Sequence, residues 1–350
     1  MSYPVFDLHC DTATMLAFQN MPAELAASAG MLGQGEPPAS LDLPKPPAAP
    51  DLPEPPVAAD LSAGGFQLTA DKIGATPWAQ CFACFIPDSF EPAGAAALWE
   101  HVSGCLDREL MRYGNRFSDV RSAAGIRSAL AEGRIAAVRT IENARLFAHD
   151  IELVHACAER GLLMASLSWN APGPLASGHD APELGLTATG REVLRRMEEE
   201  RVILDVSHLN DVCFDEVARL AERPFVASHS NARAVCGHKR NLTDAQFAEI
   251  RDRGGIVGLN YADLFVVDDP ASTPPTFDDL SRHIEHWLDL GGDRVLALGS
   301  DFDGCDPVLD IASADKMPAL QEHLEQRFGA EVTEALCGGN ALAFFERFGR

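Results

Sequence analysis

The chain has little positive charge and very little lysine. Its 350 residues include 28 Lys and Arg against 52 Asp and Glu, which gives a formal net charge of −24. Only four residues are lysine: Lys45, Lys72, Lys239 and Lys316. Proteins that bind nucleic acid through its phosphates need a basic face, and anionic membranes attract basic segments in the same way. The composition therefore indicates that neither nucleic acid nor a membrane surface is a partner.

Long apolar runs and a regular cysteine framework are also absent. No run approaches the roughly 20 apolar residues that a membrane-spanning helix needs, and MSYPVFDLHCDTATM lacks the basic and apolar regions of a secretory signal. The nine cysteines are odd in number and irregularly spaced, which is typical of reduced thiols, so we expect a cytoplasmic protein. Cys81 and Cys84 form a CxxC in an apolar run. An offset of three places them on opposite faces of a strand, so we expect both to pack rather than to chelate.

Proline is concentrated in one stretch. Between Pro37 and Pro56 nine of twenty residues are proline, which excludes a helix or a central strand there. Too few residues precede this stretch to form a domain. We therefore expect a loop excursion at about 36–57 within a single domain that spans residues 1–350.

Elsewhere, short apolar runs alternate with amphipathic stretches. Eight such runs occur: VFDLH ending at His9, WAQCFACFI from Trp78, AAVRTIE ending at Glu142, LLMASLSW ending at Trp169, VILDVSH ending at His208, PFVASHS around His229, GIVGLNY ending at Tyr261 and VLALGSD ending at Asp301. Continuously apolar runs suit parallel strands that are buried on both faces. Eight strand–helix units predict a (β/α)₈ TIM barrel of the α/β class, and an open doubly wound sheet is the alternative.

The helical stretches between these runs carry recognisable start and stop signals. Thr189 with Glu192 and Thr243 with Gln246 match capping boxes, and Asn210 precedes a helix that Pro224 would end. A last helix is expected from about 331 to 345. Six histidines on helices or at their edges are expected to be solvated or to cap: His101, His149, His155, His283, His286 and His323.

Potential metal ligands stand at the ends of the predicted strands. These are His9, Glu142, His208, His229 and Asp301. In a barrel all carboxyl ends of strands meet at one face, where active sites lie. Asp11 is two residues from His9, so in extended backbone both side chains point the same way. Burying these groups without a cation would leave charge uncompensated. Three histidines with two carboxylates suffice for two divalent ions, and the nitrogen–oxygen mixture suits zinc, with manganese or cobalt as alternatives.

Longer motifs surround these residues, and they resemble a known family. The stretches are FDLHCDT, TIEN, SLSWN, ILDVSHLND, ASHSNARAVCGHKRNLTD, GGIVGLNY, LGSDFDG and LCGGNAL. With them the chain resembles the membrane (renal) dipeptidase family, peptidase family M19 of the amidohydrolase superfamily, in its soluble bacterial form. The resemblance covers nearly the whole chain and is densest from Gly161 to Phe345. ASHSNARAVCGHKRN together with GSDFDG is the most specific part.

The resemblance implies a dizinc dipeptidase. By it His9 and Asp11 bind one zinc, His208 and His229 bind the other, and Glu142 bridges them. Many relatives in the superfamily bridge with a carbamylated lysine at the end of strand four, but Ser168 and Trp169 stand there and no lysine closes a strand. We expect a metal-bridging hydroxide to attack the peptide bond of a dipeptide, including dipeptides with a C-terminal D-residue.

Further roles follow from the same resemblance. Asp301 would take the hydroxide proton and return it to the leaving amine, with Asp303 as a supporting carboxylate. Arg240 would clamp the terminal carboxylate of the substrate. Trp169 stands where mammalian relatives have a substrate-binding histidine, and we expect Trp169 and Asn170 at the substrate. The contact of that histidine would then come from Asn170, from nearby His179 or from the metal alone. A homodimer is expected from the family.

Two other functions compete with this prediction. One is hydrolysis of another amide or lactam, such as a cyclic imide, by the same metals. Loss of the Arg240 side chain should then barely matter, because such a substrate has no free carboxylate to clamp. The other is a catalytically silent barrel that serves as a binding protein. That function predicts lost ligands, whereas this chain retains all of them.

Overall fold

The computed structural model describes residues 2–28 and 59–350. The predicted Pro-rich excursion at about 36–57 lies outside the described residues. The described chain alternates strands and helices. The strands are β1 Val5–Cys10, β2 Trp78–Phe85, β3 Phe117–Val120, β4 Ile135–Glu142, β5 Leu162–Ser166, β6 Ile203–Asp205, β7 Val257–Leu259 and β8 Leu296–Leu298. Every pairing between them is parallel, in the order β6-β5-β4-β2-β1-β8-β7, with β3 beside β4.

A short irregular segment closes this sheet into a ring. Val226 pairs with Asp205 at the end of β6, and Ala227 pairs with Val257 at the start of β7. The parallel barrel predicted from the sequence is thereby confirmed, and the open sheet is wrong. The run around His229 was expected to be a regular strand, but only these single bridges form. Backbone hydrogen bonds join this segment to both neighbours. Side chains add to them, since the Ser228 N–H donates to Asp205 Oδ1 and the His229 N–H donates to Ser207 Oγ.

One strand was not predicted. Phe117–Val120 pairs with the first half of β4, and β5 pairs with the second half of β4 along the same edge. Because β5 continues the ring at this edge, β3 lies outside the ring. Its central residues Ser118 and Asp119 are partly or fully exposed, so it lacks the continuous apolar pattern of the ring strands. Four ring strands also end earlier than expected, at Ser166, Asp205, Leu259 and Leu298.

Helices fill the connections between strands. They are α1 Thr12–Phe18, α2 Ala23–Ser28, α3 Ala70–Ile73, α4 Pro92–Arg112, α5 Ala123–Ala131, α6 Leu153–Glu159, α7 Ala188–Glu199, α8 Asp211–Leu220, α9 Asp244–Asp252, α10 Asp263–Val266, α11 Phe277–Asp289, α12 Met317–Phe328, α13 Ala330–Glu334 and α14 Asn340–Phe348. A π-helical turn, Ala335–Gly339, joins α13 to α14, so the predicted last helix is one nearly continuous element. No helix in the described ranges is both long and apolar enough to cross a membrane.

The helix starts follow the sequence signals in two of three cases. Thr243 and Gln246 form the predicted capping box, and the Asn210 side chain accepts the Cys213 N–H at the start of α8. The box predicted at Thr189 is wrong. Thr187, two residues earlier, caps α7 by accepting the Gly190 N–H. The two threonines are chemically equivalent, and only the path of the incoming loop selects between them.

The CxxC cysteines behave as expected of packed residues. Cys81 and Cys84 are buried free thiols, and they belong to two different clusters of the hydrophobic core. Their side chains therefore point to opposite faces of β2. Burial raises the pKa of both thiols well above the usual range, which keeps them protonated and unreactive.

Candidate metal centre and substrate cavity

The barrel mouth collects the polar residues that were singled out at strand ends. His9 is the penultimate residue of β1, Glu142 ends β4, and His208 and Asp301 each follow their strands by three residues. His229 lies two residues beyond the bridge that closes the ring. All five are buried, as is Asp11. The polar groups thus come from five different parts of the ring and meet at one end of it.

Three of the turns that lead out of the strands have left-handed backbone. Asn143, which follows Glu142, has φ of 63°, while His208 has 71° and Asp301 has 61°. Non-glycine residues adopt this region at a cost and mostly where surrounding structure enforces it. At His208 and Asp301 the left-handed backbone belongs to the proposed site residue itself. The strain is therefore concentrated where side chains are aimed into the mouth.

The donor atoms form three overlapping groups. Each group has one ligand atom per residue within 4.8 Å of the others. The groups are His9, Asp11 and Glu142; Glu142, His208 and His229; and His9, His229 and Asp301. Glu142 joins the first two, because its Oε2 is 3.3 Å from His9 Nε2 and its Oε1 is 2.7 Å from His208 Nε2. One carboxylate thus reaches both halves of the cluster.

The chemistry of this cluster fits cations. His9 Nε2 and Asp11 Oδ1 are buried and find no hydrogen-bond partner among the described residues. His208 Nε2 and His229 Nε2 are 3.0 Å apart, so the two nitrogens can share at most one proton. Imidazole nitrogens and carboxylate oxygens are the ligands that zinc and similar divalent ions take in proteins. The residues present therefore suit a metal centre.

The pKa shifts reflect an excess of buried negative charge. Burial raises the pKa of Glu142 to about 7 and also raises the pKa of Asp301. Burial alone would lower the pKa of His9, but the negative charges of the nearby Asp11 and Glu142 carboxylates outweigh it and hold this pKa well above the usual range. All three shifts mark a cluster of carboxylates that needs added positive charge.

The other two imidazoles behave oppositely. Burial lowers the pKa of His208 and His229 well below the usual range, and the positive charges of Arg240 and His9 lower it further. Both rings are thereby kept neutral, which is the state in which an imidazole can ligate a metal. The cluster thus pairs neutral nitrogen donors with carboxylates in one buried space.

Close backbone approach fixes two of the carboxylates. A Cβ built on Gly304 would lie 2.2 Å from Asp11 Oδ2 and 2.6 Å from Asp301 Oδ1. Asp303, expected to be a supporting residue, accepts the Thr12 hydroxyl and the Gln67 N–H, each at 2.6 Å. It therefore fastens α1 and the chain near Gln67 to the loop after β8.

A cavity of about 460 Å³ opens above the cluster. Its walls include Asp11, Phe85, Glu142, Trp169, Asn170, His179, His208, His238, Ala262, Asp263, Leu264, Phe265, Asp301, Gly304, Cys305 and Asp306. Trp169 packs edge-on against Phe85 with ring centroids 5.0 Å apart and forms an apolar side of the cavity. A volume of this size suits a small molecule.

Two of the three residues predicted to contact substrate line the cavity, and the third lies behind its wall. Trp169 and Asn170 line the cavity, and Asn170 Oδ1 also lies 3.0 Å from His208 Nδ1. Arg240 is buried just behind the lining. Its Nη1 donates to Ser230 Oγ at 3.0 Å and its Nη2 to the His229 carbonyl at 3.2 Å, while its Nε has no partner among the described residues.

His238, two residues before Arg240, also lines the cavity. Its Nδ1 accepts the Arg240 N–H at 3.1 Å, and its ring packs edge to face with His179. The spacing of His238 from Arg240 was visible in the sequence. Nothing there indicated that the two histidines meet, because His179 lies on a different loop.

Both the sequence and the fold match known proteins. A family model described as membrane dipeptidase (peptidase family M19) matches residues 2–348. The crystal structure of a metallopeptidase from Rhodobacter sphaeroides, liganded with a phosphinate mimic of the dipeptide L-Ala-D-Ala, is 27% identical. It superposes with a TM-score of 0.81 and covers 99% of this chain and 100% of its own.

Two further relatives agree with these matches. The crystal structure of dipeptidase AC, a family M19 metallopeptidase, is 28% identical with a TM-score of 0.82, over 99% of both chains. An uncharacterised Klebsiella pneumoniae protein from the 5′ region of pqqA is 33% identical over 233 residues. That alignment spans 64% of this chain and 85% of the relative.

Proposed function

The chain belongs to the membrane dipeptidase family, peptidase family M19, and is a metal-dependent dipeptidase; from this premise we propose that it works with two zinc ions. The observation that carries the proposal is the set of three overlapping donor groups at the barrel mouth. His9 and Asp11 would hold one ion, His208 and His229 the other, and Glu142 would bridge. When bound, such a pair of ions supplies an activated water and polarises the scissile carbonyl.

The bridging role of Glu142 rests on its position. Its two oxygens point to opposite halves of the cluster, one toward His9 and one toward His208. No lysine competes for this role among the described residues, since Lys72, Lys239 and Lys316 lie in α3, in a loop and in a 3₁₀ turn. The carboxylate is therefore the group that this chain offers for joining two ions.

Asp301 is our candidate for the proton carrier. Its Oδ2 accepts the Asn260 side-chain N–H at 3.2 Å, which leaves Oδ1 facing the cluster, 3.7 Å from His9 Nε2. The carboxyl lines the cavity, and burial raises its pKa. A carboxyl with a raised pKa holds a proton more readily, so Asp301 can accept one at Oδ1 and pass it to the leaving amine.

Arg240 is our candidate for recognition of the terminal carboxylate. The guanidinium stays close enough to the site for Glu142 and Asp301 to act on it electrostatically. Its Nε lacks a partner among the described residues, while Nη1 donates to Ser230 and Nη2 donates to the His229 carbonyl. A guanidinium fixed in this way presents positive charge at a defined position relative to the residues that would hold the metals. That geometry favours substrates with a free carboxylate, as in a dipeptide.

The substrate class follows from the cavity and from the relative with a bound mimic. Trp169 and Asn170 would form the wall against the substrate's side chains. The Rhodobacter sphaeroides metallopeptidase holds a phosphinate mimic of L-Ala-D-Ala, so we include dipeptides with a C-terminal D-residue among the substrates of this chain. As elsewhere in the family, we propose a homodimer, which sedimentation would test.

The decisive experiment is a hydrolysis screen of L,L and L,D dipeptides with zinc present, each beside its C-terminal amide. We expect turnover of dipeptides, a large loss in Asp301→Asn, and a raised KM in Arg240→Ala that is confined to substrates with a free carboxylate. Full dipeptidase turnover in Arg240→Ala would contradict the clamp. One bound zinc or fewer per chain after zinc supplementation would contradict the two-metal centre.

A further inference from the structure

His229 Nδ1 faces away from the cluster of donor atoms. Two side chains, Ser228 and Asp205, hold it through successive hydrogen bonds. Ser228 Oγ is 2.7 Å from His229 Nδ1, and the same hydroxyl donates to Asp205 Oδ2. A serine hydroxyl has one hydrogen, and a carboxylate only accepts. The hydrogens are therefore ordered: His229 Nδ1–H donates to Ser228, and Ser228 donates to Asp205. This order leaves Nε2, the atom 3.0 Å from His208, as the lone-pair nitrogen.

The acceptor end of these hydrogen bonds is built into the backbone of the barrel. Asp205 Oδ1 accepts the N–H groups of Ser207 and Ser228, each at 2.9 Å. All three residues are buried. A Cβ on Gly258 or Gly299 would lie only 1.9 Å from the Ser228 carbonyl oxygen, so backbone encloses Ser228 from two sides. The serine cannot shift without moving two neighbouring strands.

A second aspartate at the barrel mouth provides a comparison. Asp7 Oδ1 accepts the N–H of His9, two residues on, at 3.2 Å and the N–H of Ser300 at 2.9 Å. Asp205 is arranged in the same way, since it accepts the N–H of Ser207, two residues on, and the N–H of Ser228 in the neighbouring segment. Asp7 Oδ2, however, has no partner among the described residues. Fastening two strands therefore does not by itself require a hydroxyl link to a histidine.

We propose that Asp205 and Ser228 are positioning residues that fix the tautomer and ring orientation of His229 for metal binding. The proposal rests on His229 being a ligand, as argued above. His208 is held differently, because its Nδ1 faces the neutral amide of Asn170 on the cavity side. A hydrogen bond from a ligating imidazole toward a carboxylate strengthens the imidazole as a donor. His229 is accordingly the more firmly fixed of the two.

Asp205→Asn tests the order of the hydrogens. The amide oxygen of asparagine can keep both backbone N–H bonds, but its NH₂ must donate to Ser228, whose hydrogen then turns to His229 Nδ1. His229 would carry its hydrogen on Nε2, as in other His–Asp pairs changed in this way. We expect zinc affinity, measured by competition with a chelator, to fall about 10- to 100-fold. Nitrogen-15 NMR of the metal-free proteins should show Nδ1–H in the parent and Nε2–H in the variant.

Matched variants separate positioning from packing. Asp7→Asn makes the same change at the similar aspartate, which has no hydroxyl link. Ser281→Ala removes another serine–histidine hydrogen bond, the partly buried one to His323 Nε2 at 2.9 Å between α11 and α12. We expect both to keep parental zinc affinity, Ser228→Ala to lose about 10- to 100-fold, and Ser228→Thr, which keeps the hydroxyl, to recover most of it.

The outcomes distinguish this proposal from the proposed function. If the parent protein binds no zinc, the metal centre is wrong, while the NMR tautomer still decides the order of hydrogens. If the parent binds zinc and both Asp205→Asn and Ser228→Ala match it, the positioning role is overturned. Equal losses in Asp7→Asn or Ser281→Ala would overturn it too. Should the Asp205 and Ser228 variants fail to fold, a parent spectrum with Nε2–H at His229 would overturn it alone.

Discussion

Glu142 shows how much one residue of this site must do. Its carboxylate is buried, reaches His9 on one side and His208 on the other, and carries a pKa raised by burial to about 7. A proton and a cation compete for such a group. The residue therefore makes metal binding pH-dependent, stronger as pH rises through 7 and weaker below it.

We predict that Glu142→Gln abolishes occupancy of at least one metal position. The amide keeps the size of the side chain but loses the charge and one of the two ligating oxygens. We expect kcat/KM for a dipeptide to fall at least about 100-fold, with bound zinc measured by atomic absorption on the same sample. Asp263→Asn, which changes a cavity carboxylate outside the three donor groups, should keep its metal. Parental zinc content in Glu142→Gln would refute the bridge.

Gly304 supports a second prediction at the scale of single atoms. Gly304→Ala would press a methyl group against Asp11 and Asp301, at 2.2 and 2.6 Å from their oxygens. We expect both carboxylates to be displaced and kcat/KM to fall at least about tenfold, since small misplacements are costly in catalysis. Gly65→Ala, where a Cβ meets nothing within 4 Å, is the control and should retain activity. Similar kinetics in the two variants would show that the carboxylates tolerate displacement.

At the scale of elements, α11 carries a histidine that the sequence misplaced. His283 was expected to be solvated or capping, but it is fully buried. Its Nδ1 accepts the Ala232 N–H at 3.1 Å, and its Nε2 faces the Val266 carbonyl at 3.0 Å. The side chain thereby connects α11 to the loop after His229 and to α10. Helical periodicity could not show this, because the partners are backbone groups of distant loops.

Burial lowers the pKa of His283 to about 4, and this shift has a defined consequence for stability. Above pH 6.5 the ring is neutral in the folded and unfolded chains. As pH falls from 6.5 to 4, the unfolded chain binds a proton that the folded chain does not. The contribution of His283 to the free energy of unfolding should therefore fall by up to about 3 kcal/mol, and this contribution should level off below pH 4.

His283→Gln should reduce this acid sensitivity, because glutamine can accept and donate but does not titrate. We expect the variant to be less stable than the parent at pH 7 and to lose less stability between pH 7 and 4.5, as measured by urea unfolding. His149→Gln, at an exposed position, should show the parental loss. An equal loss in parent and His283→Gln would mean that another group titrates.

At the scale of the whole molecule, the proposed ligands come from strands that are distant in sequence and adjacent in the ring. Asp11 and the proposed proton carrier Asp301 are 290 positions apart, yet the closed barrel brings both against Gly304. Cations held in common by β1, β4 and the segments that carry His208 and His229 would bind only the folded ring. Metal binding should therefore stabilise the fold as a unit.

Removal of metal is the corresponding prediction. With zinc at about 100 times its Kd, chelation should cost about 2.7 kcal/mol and lower Tm by several degrees. Calorimetry before and after chelation, and again after zinc is restored, would measure this change. Glu142→Gln should show a smaller shift or none. A Tm that is indifferent to the chelator in the parent would contradict coupling of metal and fold.

The sequence by itself determined the eight segments that form the ring of the barrel and the polar residues at their ends. It could do so because apolar runs buried on two faces and histidines at their ends are local patterns. Its capping signals at Asn210 and Thr243 were likewise local and are confirmed. It missed β3, whose partly exposed pattern resembles a loop, and it misplaced the cap of α7 by two residues.

The tertiary structure alone decided how these residues act on one another. Three of these relations depend on contacts between separate loops. Ser228 connects His229 to Asp205, Asn170 faces His208, and Arg240 is held behind the cavity wall. The scarcity of lysine in the sequence argued against a carbamylated lysine as the group that bridges two metals. Only the folded ring placed Glu142 between two imidazoles. The type of each residue can be read from the sequence alone. The distances between side chains and their burial are set only when distant parts of the chain pack together.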